Sequence, residues 1–137
     1  MNSCMFTSRT DEWETPQDLF DKLNEQYHFT LDAAASDENH KCERYYTKAD
    51  DGLSKKWGGC VWCNPPYGRQ IGKWVQKAYE SECTVVMLLP ARTDTRWFHD
   101  YCTKGKIEFI RGRLRFGNSK ASAPFPSMIV VFEGGCG

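Results

Sequence analysis

The stretch VWCNPPYGRQ (residues 61–70) changes character halfway along. Its apolar start is typical of a strand, which ends at Asn64 because neither Pro65 nor Pro66 has an N–H to donate to a neighbouring strand. Beyond the prolines, apolar side chains recur at helical spacing, at positions 71, 74, 75, 78 and 79. The stretch therefore predicts a buried strand over residues 59–63, a rigid turn and a helix.

Strands and helices alternate on both sides of this stretch. A strand is predicted over residues 84–89, where Thr84 is followed by a continuous apolar run up to Pro90, as in a strand buried on both faces. Thr15 followed by Pro16 predicts the N-cap and the first residue of a helix over residues 16–26. A third helix is predicted over residues 94–102, and further strands over residues 29–34, 107–110 and 127–132. This order predicts an α/β fold whose mostly parallel sheet carries an antiparallel C-terminal edge pair.

The composition is that of an ordinary globular protein. The chain has 137 residues, of which 40% are hydrophobic and 26% charged, and this length suits one domain with a real core. No apolar run approaches the roughly 20 residues of a membrane span, and the first residues lack a signal-peptide core. We therefore expect a cytoplasmic protein.

The seven cysteines are scattered along the chain, and their odd number favours reduced thiols over a disulfide framework. Cys60 and Cys63 have the C-x-x-C spacing of zinc and redox sites. A strand has a period of two, so it points these two side chains to opposite faces. No second pair stands at zinc spacing, and we predict no metal site.

Charge is unevenly distributed, although the formal net charge is zero. Residues 1–90 carry 10 Lys and Arg against 14 Asp and Glu, whereas residues 91–120 carry 8 against 3. A local basic surface suits a polyanionic partner, and a solvated charged face is the alternative. The candidate nucleic-acid-binding residues are Arg92, Arg111, Arg113 and Arg115.

Three predicted strands end at Asp32, Asn64 and Pro90, and ligands of parallel sheets bind at the carboxyl ends of strands. The Asn64 side-chain oxygen and the Pro65 carbonyl form a pair of acceptors that would hold both hydrogens of one –NH₂ group. Tyr67 offers a flat ring for stacking. The pattern indicates a planar amine ligand such as adenine, cytosine or a carboxamide, and a plain Asn-Pro turn is the alternative.

The string NPPY after a strand resembles the catalytic motif of S-adenosylmethionine-dependent amino methyltransferases. Over roughly residues 12–132 the chain resembles, more closely, the small phage-type DNA adenine-N6 methyltransferases. Further motifs carry this resemblance, namely WETP (13–16), LDAA (31–34), DGL (51–53), LLPARTDT (88–95), WFH (97–99) and PS (126–127).

The resemblance implies a compact Rossmann-like methyltransferase fold with S-adenosyl-L-methionine as cofactor. Its catalytic residues would be Asn64, Pro65, Pro66 and Tyr67. The Asn64 side chain and the Pro65 carbonyl would hold the adenine amine, Tyr67 would stack on the base, and the amine would attack the methyl group directly. Because the amine lies inside a DNA stack, the base would be flipped out or met in a single strand.

The resemblance also implies cofactor-binding residues. Thr15 and Pro16 match a segment that covers the methionine part, Asp32 with Ala33 matches the end of the first strand, where a carboxylate meets the ammonium, and Asp51 matches the acid at the adenine moiety. Residues 33–36 read Ala-Ala-Ala-Ser where the family carries a glycine-rich turn.

The implied partner is DNA, bound by a monomer or homodimer of phage or prophage origin. We expect a flexible arm over residues 1–12 and a single methyltransferase domain over residues 13–137, without a separate target-recognition domain. Two alternatives stay open at this point. One is methylation of another amine, in RNA adenine, DNA cytosine or protein glutamine, and the other is a catalytically silent nucleic-acid-binding module.

Overall fold

A computed structural model describes residues 12–117, 119 and 121–134. Nearly all of the predicted arm, residues 1–11, lies outside this range. The sheet has five strands in the order β1-β2-β3-β5-β4. They are β1 Leu31–Asp32, β2 Cys60–Cys63, β3 Thr84–Pro90, β4 Lys106–Phe109 and β5 Ser127–Phe132.

Three α-helices accompany the sheet: α1 Gln17–Tyr27, α2 Ile71–Glu80 and α3 Arg96–Asp100. Short 3₁₀ turns form at Gly52–Ser54 and Cys102–Lys104. The third helix begins later than predicted because the Thr95 hydroxyl accepts a hydrogen bond from Phe98 N at 3.3 Å, which caps the helix there. It also ends earlier, at Asp100. Within the described ranges, no helix has the length and apolar character needed to cross a membrane.

The prediction of a mostly parallel sheet is matched only in part. Strands β1, β2 and β3 pair in parallel, whereas β5 pairs antiparallel with β3 on one side and with β4 on the other. The expected antiparallel edge pair is therefore present. However, its second strand inserts next to the centre of the sheet, so two strand pairs are parallel and two antiparallel.

The core lies around β3 and β5. Every residue of β5 and all but the first of β3 are buried, so both faces of the sheet are covered there. Helix α2 buries Ile71, Trp74, Val75 and Ala78 against it. On α1 the buried residue is Phe20, whose ring meets Trp62 of β2 edge-on at 5.5 Å.

Strand β1 is shorter than the predicted segment 29–34. Its Asp32 also bonds on the outer side, donating N–H to Arg44 O at 3.1 Å and accepting from Tyr46 N at 3.0 Å. The chain after β1 therefore returns alongside it, and a loop rather than a longer strand closes this edge of the sheet.

Candidate active site

Parallel pairing brings the ends of β1, β2 and β3 to one edge of the sheet. Asp32 is paired with Trp62, and Cys63 with Met87, so Asn64 follows β2 close to the end of β1. Ala33 N donates to Trp62 O at 3.0 Å and continues this contact past the end of β1. The predicted strand-end residues therefore share one edge.

The Asn64 amide is held by the segment before α1. Its Nδ2 donates to Trp13 O and to Thr15 Oγ1, the latter at 3.0 Å. Both amide hydrogens are thereby used within the chain. Its Oδ1 is buried and, among the described residues, has no hydrogen-bond partner. A buried acceptor without a donor costs free energy, and this oxygen is free to accept a hydrogen bond from a bound molecule.

Thr15 does not cap α1, so that prediction is wrong. Pro16 occupies the N-cap position, and no side chain caps the helix. Thr15 is only 4% exposed, and its hydroxyl accepts from Asn64 instead. The half-buried Pro16 forms the entry to the helix, where its carbonyl accepts from Phe20 N at 3.2 Å.

Tyr67 is 5% exposed, and its hydroxyl donates to Leu88 O at 3.0 Å. Burial raises the pKa of this phenol well above its ordinary value. The ring packs edge-on against Phe125 at 5.7 Å and Phe116 at 6.3 Å. The hydroxyl thus serves the core, and a base that stacks on this ring must first displace a neighbouring ring.

The aromatic cluster consists of Trp13, Tyr67, Phe116 and Phe125. Trp13 lies 5.3 Å from Phe116 and 5.1 Å from Phe125, measured between ring centroids. The sequence reasoning gave no role to the two phenylalanines. In the sequence they are two aromatic residues that flank the polar segment 117–124. This pattern does not predict which distant rings they contact.

Asp32 is 3% exposed, and its carboxylate accepts from Lys41 N at 2.9 Å and from Ala34 N at 3.4 Å. Burial raises the pKa of this carboxyl above its ordinary value, against the lowering effect of these hydrogen bonds. In the part of the chain that the structure describes, no lysine or arginine forms an ion pair with it.

Asp51 is exposed and has a left-handed backbone, with φ of 57°. Gly52 beside it packs against the turn after β1, since a Cβ there would collide with Ala33 O. This packing brings the backbone of Gly52, the neighbour of Asp51, close to Ala33.

The four candidate arginines are exposed. Arg113 lies in the loop between β4 and β5, where its Nη1 donates to Ala123 O at 3.5 Å. Gly117 N of this loop donates to Glu14 O at 2.8 Å, which ties the loop to the segment that holds Asn64. The positive charge of Arg92 partly offsets the raised pKa of Tyr67, so Arg92 lies within electrostatic reach of this ring.

The two cysteines of the C-x-x-C spacing are the first and last residues of β2. Cys63 is buried and Cys60 half-buried, and burial raises the pKa of both thiols. A thiol with a raised pKa stays protonated and is a poor nucleophile and metal ligand. Among the described residues, no group of three or more His, Cys, Asp or Glu side chains is arranged to hold a metal ion.

Comparisons with known proteins show the family of the chain. The family model described as DNA N-6-adenine-methyltransferase (Dam) matches residues 2–133. A DNA N-6-adenine-methyltransferase of Escherichia phage T1 is 33% identical over 84% of this chain. One of Haemophilus phage HP1 (strain HP1c1) is 29% identical over 92%. The chain spans 61% of the first relative's length and 80% of the second's. The chain belongs to the DNA N-6-adenine-methyltransferase (Dam) family.

Proposed function

We propose that this chain transfers a methyl group from S-adenosylmethionine to the exocyclic N6 amine of adenine in DNA. The observation that carries the proposal is the buried Asn64 Oδ1, which accepts no hydrogen bond from the described residues. Family membership and the phage relatives support the same chemistry.

The Asn64 side chain would act on the amine purely as an acceptor, because its own N–H groups are engaged by Trp13 and Thr15. One amine hydrogen would go to Asn64 Oδ1 and the other to the carbonyl of Pro65, whose ring fixes its own φ. Held by both hydrogens, the amine presents its lone pair in one direction. A keto oxygen in the same place would face two acceptors and be rejected.

S-Adenosylmethionine, when bound, supplies the methyl group on a cationic sulfur. The described residues fit such a group, because Asp32 is a buried carboxylate without an ion-pair partner among them. Asp32 would bind its ammonium, with Ala33 and Asp51 beside it and Thr15 and Pro16 on the methionine side. The cofactor would then lie across the ends of β1 and β2, as in a Rossmann-like methyltransferase fold. Proximity and orientation then supply most of the rate.

The adenine would stack on Tyr67 after leaving the DNA helix. Because the ring is covered in the structure, entry of the base requires the aromatic cluster to open. Phe125 is the half-buried neighbour of Tyr67, whereas Phe116 is fully buried, so Phe125 is the ring that moves more easily. Arg92, Arg111, Arg113 and Arg115 are exposed and would bind DNA phosphates.

The test is methyl transfer from labelled S-adenosylmethionine to DNA, RNA and protein in parallel. Methylated DNA is then digested to nucleosides and analysed by mass spectrometry. We expect N6-methyladenine as the labelled product. Label in N4-methylcytosine, in RNA or in protein alone would refute the proposed substrate.

Calorimetry with S-adenosylmethionine separates an enzyme from a silent DNA-binding module. An enzyme with the proposed cofactor site releases or absorbs heat that saturates at one ligand per chain. No binding at millimolar ligand would contradict the catalytic proposal.

A further inference from the structure

We propose that Thr15 is a positioning residue for the catalytic amide. Together with the carbonyl of Trp13, it holds Asn64 in the one orientation that leaves Oδ1 to receive the substrate amine. This inference rests on the proposed function. It gives the Thr15 hydroxyl a positioning role, in addition to the place proposed for the Thr15 segment on the methionine side of the cofactor.

The direction of the amide follows from the chemistry of its partners. A backbone carbonyl only accepts hydrogen bonds, so Trp13 O must face the Asn64 nitrogen and not its oxygen. Thr15 Oγ1 accepts the second hydrogen at 3.0 Å. A rotation of the amide by 180° would set two acceptors against each other at Trp13 and would leave the nitrogen at the position of the ligand.

The position of Thr15 also argues for a specific task. A threonine before Pro16 normally caps the helix, whereas here no side chain caps α1. The hydroxyl is buried and directed to Asn64 instead. A residue whose local preference is overridden in this way is expected at a functional site.

Trp13 is itself held in place by the loop between β4 and β5. Its ring packs against Phe116 and Phe125, and the next residue, Glu14, accepts from Gly117 N at 2.8 Å. The Trp13 carbonyl, which orients Asn64, is therefore held by the packing of the Trp13 ring and by the backbone hydrogen bond of Glu14. The segment before α1 thereby supports the catalytic amide without touching the reacting atoms.

Thr15→Val tests this role because it removes the hydroxyl and keeps the shape of the side chain. Loss of one positioning hydrogen bond should lower kcat by about 10-fold or more. The KM for S-adenosylmethionine should stay within about twofold. Thr15→Ser retains the hydroxyl and should recover most of kcat. A raised KM for the cofactor with unchanged kcat would overturn the proposal, as would a Thr15→Val variant with wild-type kcat.

Asn64→Asp provides an independent variant, which also carries the test if Thr15→Val fails to fold. An aspartate has no N–H for Trp13 O, so the carboxylate must turn or shift. We expect its kcat to fall by about 100-fold although an acceptor oxygen is still present. Turnover close to wild type would overturn the proposal, because the amide hydrogens would then be dispensable.

A stability cycle separates failure of this inference from failure of the proposed function. The urea midpoints of wild type, Thr15→Val, Asn64→Ala and the double variant are compared. If Thr15 and Asn64 act together, the double variant shifts the midpoint less than the two single shifts combined. Additive shifts would refute the contact, whether or not the protein methylates DNA.

Discussion

Asp32 and Asn64 lie at the ends of neighbouring parallel strands, and both are largely shielded from water, but their polar atoms are treated differently. The two oxygens of Asp32 accept backbone N–H groups of the loop that follows β1. The oxygen of Asn64 accepts none among the described residues, whereas its nitrogen makes two hydrogen bonds. The fold supplies hydrogen-bond donors for both oxygens of Asp32, whereas among the described residues it supplies partners only for the nitrogen of Asn64.

The difference shows what each residue contributes. Asp32 organises the turn that stands where the family carries a glycine-rich turn, and in the proposed function its carboxylate would bind the cofactor ammonium. Asn64 contributes little to the fold through Oδ1, since an unsatisfied buried acceptor destabilises it. In the proposed function, the substrate amine would supply the missing donor.

The largest expected effect is that of Asn64→Ala on catalysis. It removes the acceptor of the amine, and we expect the single-turnover rate of DNA methylation to fall by about 10²–10³-fold. The affinity for S-adenosylmethionine, measured by calorimetry, should change by less than about threefold, since Asn64 is not assigned to the cofactor. A variant with near-normal turnover would reduce the motif to a structural turn.

Asp32→Asn should reverse this pattern. The neutral side chain loses the charge for the ammonium, and cofactor affinity should fall by about 10-fold or more in calorimetry. An asparagine has an NH₂ group in place of one carboxylate oxygen. This group would face one of the two donors, Lys41 N or Ala34 N, and that hydrogen bond would be lost. We therefore expect a loss of about 1–3 kcal/mol in the free energy of unfolding. Unchanged cofactor affinity would contradict the proposed role of Asp32 in binding the ammonium.

The pH dependence of stability sharpens the comparison further. Burial raises the pKa of Asp32, so the folded state binds its proton at pH values at which the unfolded chain has already lost it. The contribution of Asp32 to stability therefore decreases as pH rises above about 4, the ordinary range of the group. Urea unfolding of wild type and Asp32→Asn between pH 4 and 7 measures it. A stability difference that grows in favour of wild type with pH would contradict the expected sign.

The smallest effect is expected for Ser127→Ala. Ser127 Oγ is also buried without a hydrogen-bond partner among the described residues, but nothing places it at the substrate amine. Its removal should leave methylation within about twofold and change the free energy of unfolding by less than about 1 kcal/mol. A fall of 10-fold or more in turnover would identify Ser127 as a second ligand position.

Local pattern was sufficient for several elements. Strand β5 was predicted over residues 127–132 and occupies Ser127–Phe132. Four of the five apolar positions predicted for α2 are buried, whereas Tyr79 is exposed. The spacing of apolar residues indicates which side chains are buried, but it does not indicate which other strand or helix they pack against. For the same reason it did not reveal that β5 inserts between β3 and β4, since a strand buried on both faces fits several positions in a sheet.

By itself, then, the sequence determined the strand–turn–helix around NPPY, the placement of polar residues at strand ends and the resemblance to amino methyltransferases. Only the tertiary structure decided that Thr15 turns from its helix to Asn64 and that Trp13 lies between Phe116 and Phe125. Trp13 and Thr15 stand about fifty positions before Asn64, and the phenylalanines stand as far beyond it. Contacts over such separations depend on how the sheet and its loops assemble, and local preference carries no information about them.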